Sequence, residues 1–157
     1  ITGSKNALRL VTLFQMTYPG APCVYYGNEV GISGGKDPDC RRAFLWDEKT
    51  WDTDLRAYFK TCIGLRKAHR ALRDGAWKVL AAEQGKVVYR RDYDNDCVVV
   101  VLNNSDQTYH LDIELEGFSG SETLFTDALG AGTAACRHGR LTGLTLSPYT
   151  GAALHQG

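Results

Sequence analysis

The sequence predicts an α+β protein in which a helical first half precedes an antiparallel β-sandwich. Two amphipathic helical patterns flank one short apolar run in the first half, whereas short alternating patterns separated by turn residues fill the second half. The change of character falls near Arg73–Gly75, and we therefore place the domains at residues 1–74 and 75–157. Because 43% of the 157 residues are hydrophobic, the chain can bury a sizeable core.

The first helix is predicted to begin after Ser4, a plausible N-cap, and to end at the turn formed by residues 18–22. Apolar residues recur along one face at helical spacing, and two further apolar residues widen that face. We expect this face to be buried. Its members are Ala7, Leu10, Val11 and Phe14, with Leu8 and Leu13 at its margins.

A strand buried on both faces is predicted at residues 23–26, an apolar run without alternation. A long loop follows from Asn28 to about Thr53, and the second helix is expected from there to Arg70. This order of elements is typical of an α/β barrel or a doubly wound sheet. One strand cannot form a sheet, so we expect the first half to be a piece of something larger. The opening residue, Ile1 rather than methionine, favours the same expectation.

The second half is predicted to hold seven or so short strands, as an antiparallel sandwich requires. The apolar run at residues 98–102 is continuous, so that strand should be central. Asp94-Asn95 is a good turn before it. The other strands are expected at residues 87–93, 109–115, 124–125, 141–146 and 149–155.

Composition excludes several classes of function. The 18 basic residues balance the 18 acidic ones, so we expect neither a nucleic acid nor a membrane as partner. No Cys-x-x-Cys pair, histidine cluster or phosphate-binding glycine loop occurs in the sequence, and we predict no metal and no cofactor. The cysteines are interpreted as free, mostly buried thiols in a reducing, cytoplasmic compartment; they are Cys23, Cys40, Cys62, Cys97 and Cys136.

Two segments resemble a known family. Residues 15–29 and 34–42, the latter followed by Trp46-Asp47, resemble the alpha-amylase family of glycoside hydrolases, most closely its cyclomaltodextrinase, neopullulanase and maltogenic amylase branch. Residues 99–104 resemble the family's C-terminal β-domain more loosely. Two residues depart from the pattern, because the family usually has Asp where Asn28 stands and Pro where Ala43 stands.

The resemblance implies that residues 1–74 are the final strand–helix portion of a (β/α)8 TIM barrel, followed by the C-terminal sandwich. It implies a parent enzyme that cleaves α-1,4-glucans such as maltodextrin, cyclodextrin or pullulan with retention. The three catalytic acids of the family follow earlier barrel strands, and none is expected in this chain. The sequence therefore predicts no catalytic residue and no hydrolysis by the chain alone.

Asp37 and Arg41 are the predicted substrate-binding residues. In the resembling branch, the Asp and Arg of the Asp-Pro-x-x-Arg motif bind glucose hydroxyls. A carboxylate can accept from two hydroxyls and a guanidinium donates in a fixed fork, while Pro38 stiffens the loop. The structural alternative is a surface ion pair that holds the loop together.

Other residues of the loop leave two interpretations open. Trp46, a weaker candidate, and Trp51 are either platforms for sugar rings or buried packing residues. Glu29 is either a structural acid paired with an arginine or a residue of the cleft. The spacing of Asp37 and Asp39 permits an acid pair or a calcium site, but no third acid accompanies them, which disfavours both.

Alternative functions come from other classes. The β-domain could be a carbohydrate-binding module, which would need exposed aromatic platforms, or it could be purely structural. The parent could be a transglycosylase or a sugar isomerase of the same family. Because the helices would expose faces that a complete barrel covers, we expect the isolated chain to self-associate.

Overall fold

Three α-helices and three single 3₁₀ turns form the first half of the computed structural model, which describes residues 4–156. Ser4 caps the first helix as predicted, and its hydroxyl accepts from the Ala7 N–H. Asp52 caps the second helix by accepting from the Leu55 N–H. The helices are α1 (Lys5–Thr17), α2 (Thr53–Ala68) and α3 (Arg70–Asp74), and the 3₁₀ turns are Asn28–Val30, Asp39–Arg41 and Glu48–Thr50.

The prediction of a strand at residues 23–26 is wrong. The expected eighth strand of a TIM barrel, which that segment was to form, is therefore not seen. The segment forms no hydrogen-bonded pairing with the sheet, and Tyr25 and Tyr26 are exposed with their rings 4.7 Å apart. A strand needs a hydrogen-bonded neighbour, and the described residues 4–156 place none beside this segment.

The second half forms a single eight-stranded antiparallel sheet in the order β1-β2-β3-β8-β5-β6-β7-β4. Its two end strands contact one another, so the sheet is a nearly closed barrel or sandwich. The predicted antiparallel β-domain is therefore confirmed, with one strand more than expected. The strands are β1 (Ala76–Glu83), β2 (Lys86–Tyr93), β3 (Asp96–Asn103), β4 (Tyr109–Glu114), β5 (Thr123–Asp127), β6 (Thr133–Arg137), β7 (Arg140–Leu146) and β8 (Thr150–Gln156).

Strand β3 is buried on both faces, as its continuous apolar run predicts. Val99 and Val101 face the interior of the β-domain, whereas Val98 and Val100 face the helices. Two hydrophobic cores therefore meet across β3. This shared strand joins the helical segment to the β-domain.

Helix α1 buries only part of the predicted face, because Leu10 and Leu13 are buried but two other expected members are not. Leu13 and Met16 pack toward α2 and the sheet, whereas Val11 and Phe14 remain 42% and 38% exposed. The helix is apolar on two sides, and contact with β8 selects between them. At that contact Gly151 leaves no room for a side chain, because a Cβ there would lie 2.8 Å from the Leu13 Cδ2 atom.

Two arginines bind the C-terminal end of α1. The Arg91 side chain, 1% exposed, donates to the carbonyl oxygens of Thr17 (2.7 Å) and Gly75 (3.0 Å). Arg66 donates to the carbonyl oxygen of Met16 at 2.8 Å. Because the last carbonyls of a helix lack intrahelical partners, these guanidinium groups satisfy them and complement the helix dipole.

Candidate functional site

Asp37 and Arg41 form an exposed ion pair on the loop between the first two 3₁₀ turns. The Arg41 Nη2 atom lies 2.5 Å from the Asp37 Oδ1 atom, and the two side chains are 61% and 67% exposed. The Asp39–Arg41 turn, which follows Pro38, brings them together. The structure thus places both predicted sugar-binding residues side by side, with their remaining donors and acceptors open to solvent.

A second ion pair, between Asp39 and Arg42, lies on the same loop. The Arg42 guanidinium donates to both oxygens of Asp39, from Nε to Oδ1 at 2.6 Å and from Nη2 to Oδ2 at 2.8 Å. The Gly35 N–H also donates to Asp39 Oδ2, at 2.6 Å. These bonds, above all those from Arg42, lower the pKa of the Asp39 carboxyl below its ordinary value.

The Asp37–Asp39 spacing does not produce an acid pair or a calcium site. Each carboxylate is bound by its own arginine, so neither is positioned to share a proton or a cation with the other. Among residues 4–156, no group of three or more His, Cys, Asp or Glu side chains could hold a metal ion.

The aromatic residues that follow the loop differ in exposure. Trp46 is 82% exposed, and its ring packs edge-on against Phe44 with centroids 4.8 Å apart. Trp51 is half-buried, donates from Nε1 to the Leu45 carbonyl oxygen at 2.7 Å and lies under the Arg56 guanidinium. The interpretation as a buried packing residue therefore holds in part for Trp51 but not for Trp46. Contact between Trp46 and a sugar stays a prediction.

Beside Trp51 lies an open cavity of about 240 Å³, bordered by residues 30–33 and Arg42. Pockets that enclose a drug-sized ligand occupy about 300–1,000 Å³. This cavity is smaller and open, and neither Asp37 nor Arg41 lines it.

Glu29 sits at the base of the loop, in the 3₁₀ turn Asn28–Val30. Its Oε2 atom is buried and has no hydrogen-bond partner among the described residues. The expected pairing with an arginine is therefore not observed within residues 4–156.

The aromatic residues of the β-domain are mostly covered. Tyr89 is buried, Arg70 lies 4.2 Å above the Tyr93 ring, and Lys86 lies 5.3 Å from the centre of the Tyr109 ring. Of the four tyrosines whose alternation along the strands predicts burial, only Tyr89 is buried, whereas Tyr93 and Tyr109 are partly buried and Tyr149 is exposed.

All five cysteines are free thiols, and three of them are buried, as the sequence predicts: Cys62, Cys97 and Cys136. Burial raises the pKa of Cys62 to about 11 and that of Cys97 to about 12. Within residues 4–156, none of the helices is both long and apolar enough to traverse a lipid bilayer.

Comparison with known proteins finds similarity to cyclomaltodextrinases and neopullulanases. The profile of the neopullulanase-like C-terminal domain matches residues 77–155. A Bacillus cyclomaltodextrinase is 50% identical over 104 residues, which are 65% of this chain and 19% of that protein. Neopullulanase 2 of Thermoactinomyces vulgaris is 36% identical over 157 residues, which cover 99% of this chain and 26% of that protein.

Solved structures agree with the fold described above. The debranching enzyme of Nostoc punctiforme superposes with a TM-score of 0.81 at 28% identity, over 98% of this chain and 32% of that chain. The chain spans about a fifth to a quarter of the curated relatives cited, 19% and 26%. By its β-domain, which the family profile matches, and by these relatives, the chain belongs to the cyclomaltodextrinase and neopullulanase branch of the alpha-amylase family.

Proposed function

We propose that this chain is the C-terminal portion of a retaining enzyme that acts on α-1,4-glucans, and that its loop at residues 33–46 contributes a sugar-binding surface. The observation that carries the proposal is the preformed, exposed Asp37–Arg41 ion pair. The names of the relatives, cyclomaltodextrinase and neopullulanase, support maltodextrin, cyclodextrin or pullulan as the substrate class.

The ion pair suits recognition of a sugar with vicinal hydroxyls. Asp37 can accept hydrogen bonds from two hydroxyls, while Arg41 donates to the same or a neighbouring ring. Because both groups are exposed, their mutual attraction is screened by water and is weak, on the order of 0–1 kcal/mol. A glucan can therefore replace part of the pairing without a large energetic penalty.

Trp46, which follows the pair along the chain, would add an apolar contact. Its ring is the most exposed of the large apolar side chains in the described part of the protein, and Phe44 supports it from one edge. Sugar rings present apolar C–H faces, and an exposed indole can stack on them. Trp46 is accordingly the proposed platform, and Asp37 and Arg41 are the proposed polar contacts.

The chain alone should not hydrolyse glucans. Retaining glycosidases need two carboxyl groups about 5–5.5 Å apart, one as nucleophile and one as acid/base. On the loop, Asp37 and Asp39 are instead bound by separate arginines. We expect no release of reducing ends from maltoheptaose or β-cyclodextrin by the pure chain, and turnover above the buffer rate would contradict this.

The β-domain is proposed to be structural. Its sheet packs against α1 through β3 and β8, and Arg91 ties it to the end of that helix. Buried Tyr89 and the covered Tyr93 and Tyr109 rings disfavour a carbohydrate-binding module, which would need exposed rings, although Trp77 and Tyr149 are exposed. Hydrolases, transglycosylases and sugar isomerases of the family share this region, so the region does not distinguish their reactions. We propose hydrolysis because of the similarity to the named relatives.

A titration of the ¹⁵N-labelled chain with maltoheptaose tests the sugar-binding proposal. We expect the largest amide shifts within residues 33–46, and a loss of affinity of about tenfold or more in D37A and in R41A. The matched control is D74A, which breaks the similarly exposed Arg70–Asp74 pair on α3. Shifts confined to the β-domain would support the binding-module alternative instead, and equal affinity in all four proteins would contradict the assignment.

We also propose that the isolated chain self-associates. Val11 and Phe14 on α1, Tyr18 directly after the helix and Trp77 on β1 are exposed apolar residues, and the first three line a cavity of about 270 Å³. Apolar surfaces of this kind drive association in water. Light scattering across a concentration series should show a rising mass, and a clean monomer at high concentration would oppose the proposal.

The five free thiols support a reducing, cytoplasmic compartment.

A further inference from the structure

We infer that Asp39 and Arg42 are positioning residues that hold the loop so that Asp37 and Arg41 are presented to a glucan. This inference rests on the proposed function of the loop. It concerns a second pair of residues, which would act without touching the sugar.

The Asp39–Arg42 pair closes the loop on itself. Arg42 donates from Nη1 to the Ser33 carbonyl oxygen at 3.3 Å, and the Gly35 N–H donates to Asp39. From the other side, the Tyr26 hydroxyl donates to the Arg42 carbonyl oxygen at 3.0 Å. The two ends of the loop are thereby tied to one another and to the end of the preceding segment.

The glycines show how closely the loop folds back. A Cβ at Gly34 would lie 2.9 Å from both the Asp39 carbonyl oxygen and the Cys40 Cα atom. At Gly35 a Cβ would lie 2.8 Å from Asp39 Oδ2. At Gly34 the close atoms belong to the backbone, so only glycine fits there, whereas a side chain at Gly35 would require the Asp39 carboxylate to shift.

Asp39 and Arg42 are themselves poorly available to a ligand. Both oxygens of Asp39 accept hydrogen bonds, and Arg42 uses three of its nitrogen atoms as donors. Asp37, in contrast, is bound by Arg41 through Oδ1, and its Oδ2 atom accepts no hydrogen bond from the described residues. Both pairs are exposed to solvent, but the hydrogen-bonding groups of Asp39 and Arg42 are used within the loop, whereas Asp37 keeps a free carboxylate oxygen.

The expected consequence is a change in affinity rather than in folding. Exposed ion pairs contribute little to global stability, so loss of the Asp39–Arg42 pair should leave the melting temperature nearly unchanged. A loop that is no longer held must instead be ordered when sugar binds, which weakens the affinity. We expect the dissociation constant for maltoheptaose to rise about five- to tenfold in D39N.

The experiment compares wild type, D39N, R42K and the charge-swapped D39R/R42D double variant, with D74N as the exposed-pair control. Calorimetry with maltoheptaose should show weaker binding with a less favourable entropy in D39N. R42K should lie between D39N and wild type, and the double variant should recover part of the affinity. Without ligand, ¹⁵N relaxation should show greater mobility of residues 33–42 in D39N, and to a lesser extent in R42K, but not in D74N.

The outcomes separate the two proposals. If D37A abolishes binding while D39N binds like wild type with an equally ordered loop, the positioning role is overturned and the proposed function survives. If the wild-type chain shows no maltoheptaose contact within residues 33–46, both are overturned. A fall in the melting temperature of D39N by more than about 3 °C, with affinity unchanged, would assign the pair to stability alone.

Discussion

Replacement of Arg91 by methionine tests how the helical segment is joined to the β-domain. The guanidinium is 1% exposed and donates to three backbone carbonyls, those of Thr17 at 2.7 Å, Gly75 at 3.0 Å and Ala76 at 3.3 Å. Methionine fills a similar volume without any donor. The change therefore isolates the hydrogen bonds from the packing of the side chain.

The magnitude follows from the two shorter bonds. Leaving a buried carbonyl without a donor costs about 1–3 kcal/mol, and the third bond is long and contributes less. Removal of a buried charge returns part of this, because burial lowers the pKa of Arg91 and so disfavours its charged form. We expect the free energy of unfolding to fall by about 3 kcal/mol, which lowers the melting temperature by about 6–12 °C for a chain of this size.

Urea denaturation followed by circular dichroism measures this difference. R137M is the control, because Arg137 is exposed and forms a surface pair with Glu122. It should change stability by less than about 1 kcal/mol. R91K, which retains one donor, should fall between wild type and R91M. Equal stability of R91M and R137M would refute the view that Arg91 holds the junction.

Two further predictions concern the same junction. G151A should lower the free energy of unfolding by about 1–3 kcal/mol, because the new methyl group would meet Leu13 of α1; an unchanged denaturation midpoint would contradict this packing. Asp96 accepts from the Ala71 N–H and pairs with His69; burial raises its pKa, but these contacts outweigh burial and lower it. Because the pKa of Asp96 is lower in the folded state, its ionised carboxylate stabilises the fold above about pH 4, and this stabilisation is lost as the pH falls through the folded-state pKa. Wild type should therefore be more stable than D96N at pH 7 and approach the stability of D96N near pH 3. Parallel pH profiles of the two proteins would contradict the linkage.

Local signals in the sequence predict much of the fold. Ser4 and the helical spacing predict α1, and the continuous apolar run of residues 98–102 predicts the central strand β3. Strand β1 escapes prediction because its residues 76–83 include several helix formers and it is mostly exposed, with a bulge between Val79 and Ala81. Strand β6 is short and alanine-rich, so its alternation is weak.

Other features depend on contacts that periodicity does not contain. Helix α1 is apolar on two sides, and only the approach of Gly151 and α2 determines that Leu13 rather than Phe14 is buried. The strand expected at residues 23–26 fails because pairing depends on a neighbour, not on composition.

Part of the candidate site is predictable from the sequence and part is not. The motif that contains Asp37 and Arg41 indicates the two residues that form an ion pair in the structure. The Asp39–Arg42 pair escapes notice, although its three-residue spacing is a usable signal for an ion pair on a single turn. Its bond to the Gly35 N–H depends on the path of the loop, which spacing alone does not give.

A crystal structure of this chain grown with maltoheptaose would test the central claim most directly. We predict a glucose ring whose hydroxyls lie within hydrogen-bond distance of the Asp37 carboxylate and the Arg41 guanidinium, with a neighbouring ring against Trp46. Sugar bound only on the β-domain, with the Asp37–Arg41 pair untouched, would contradict it.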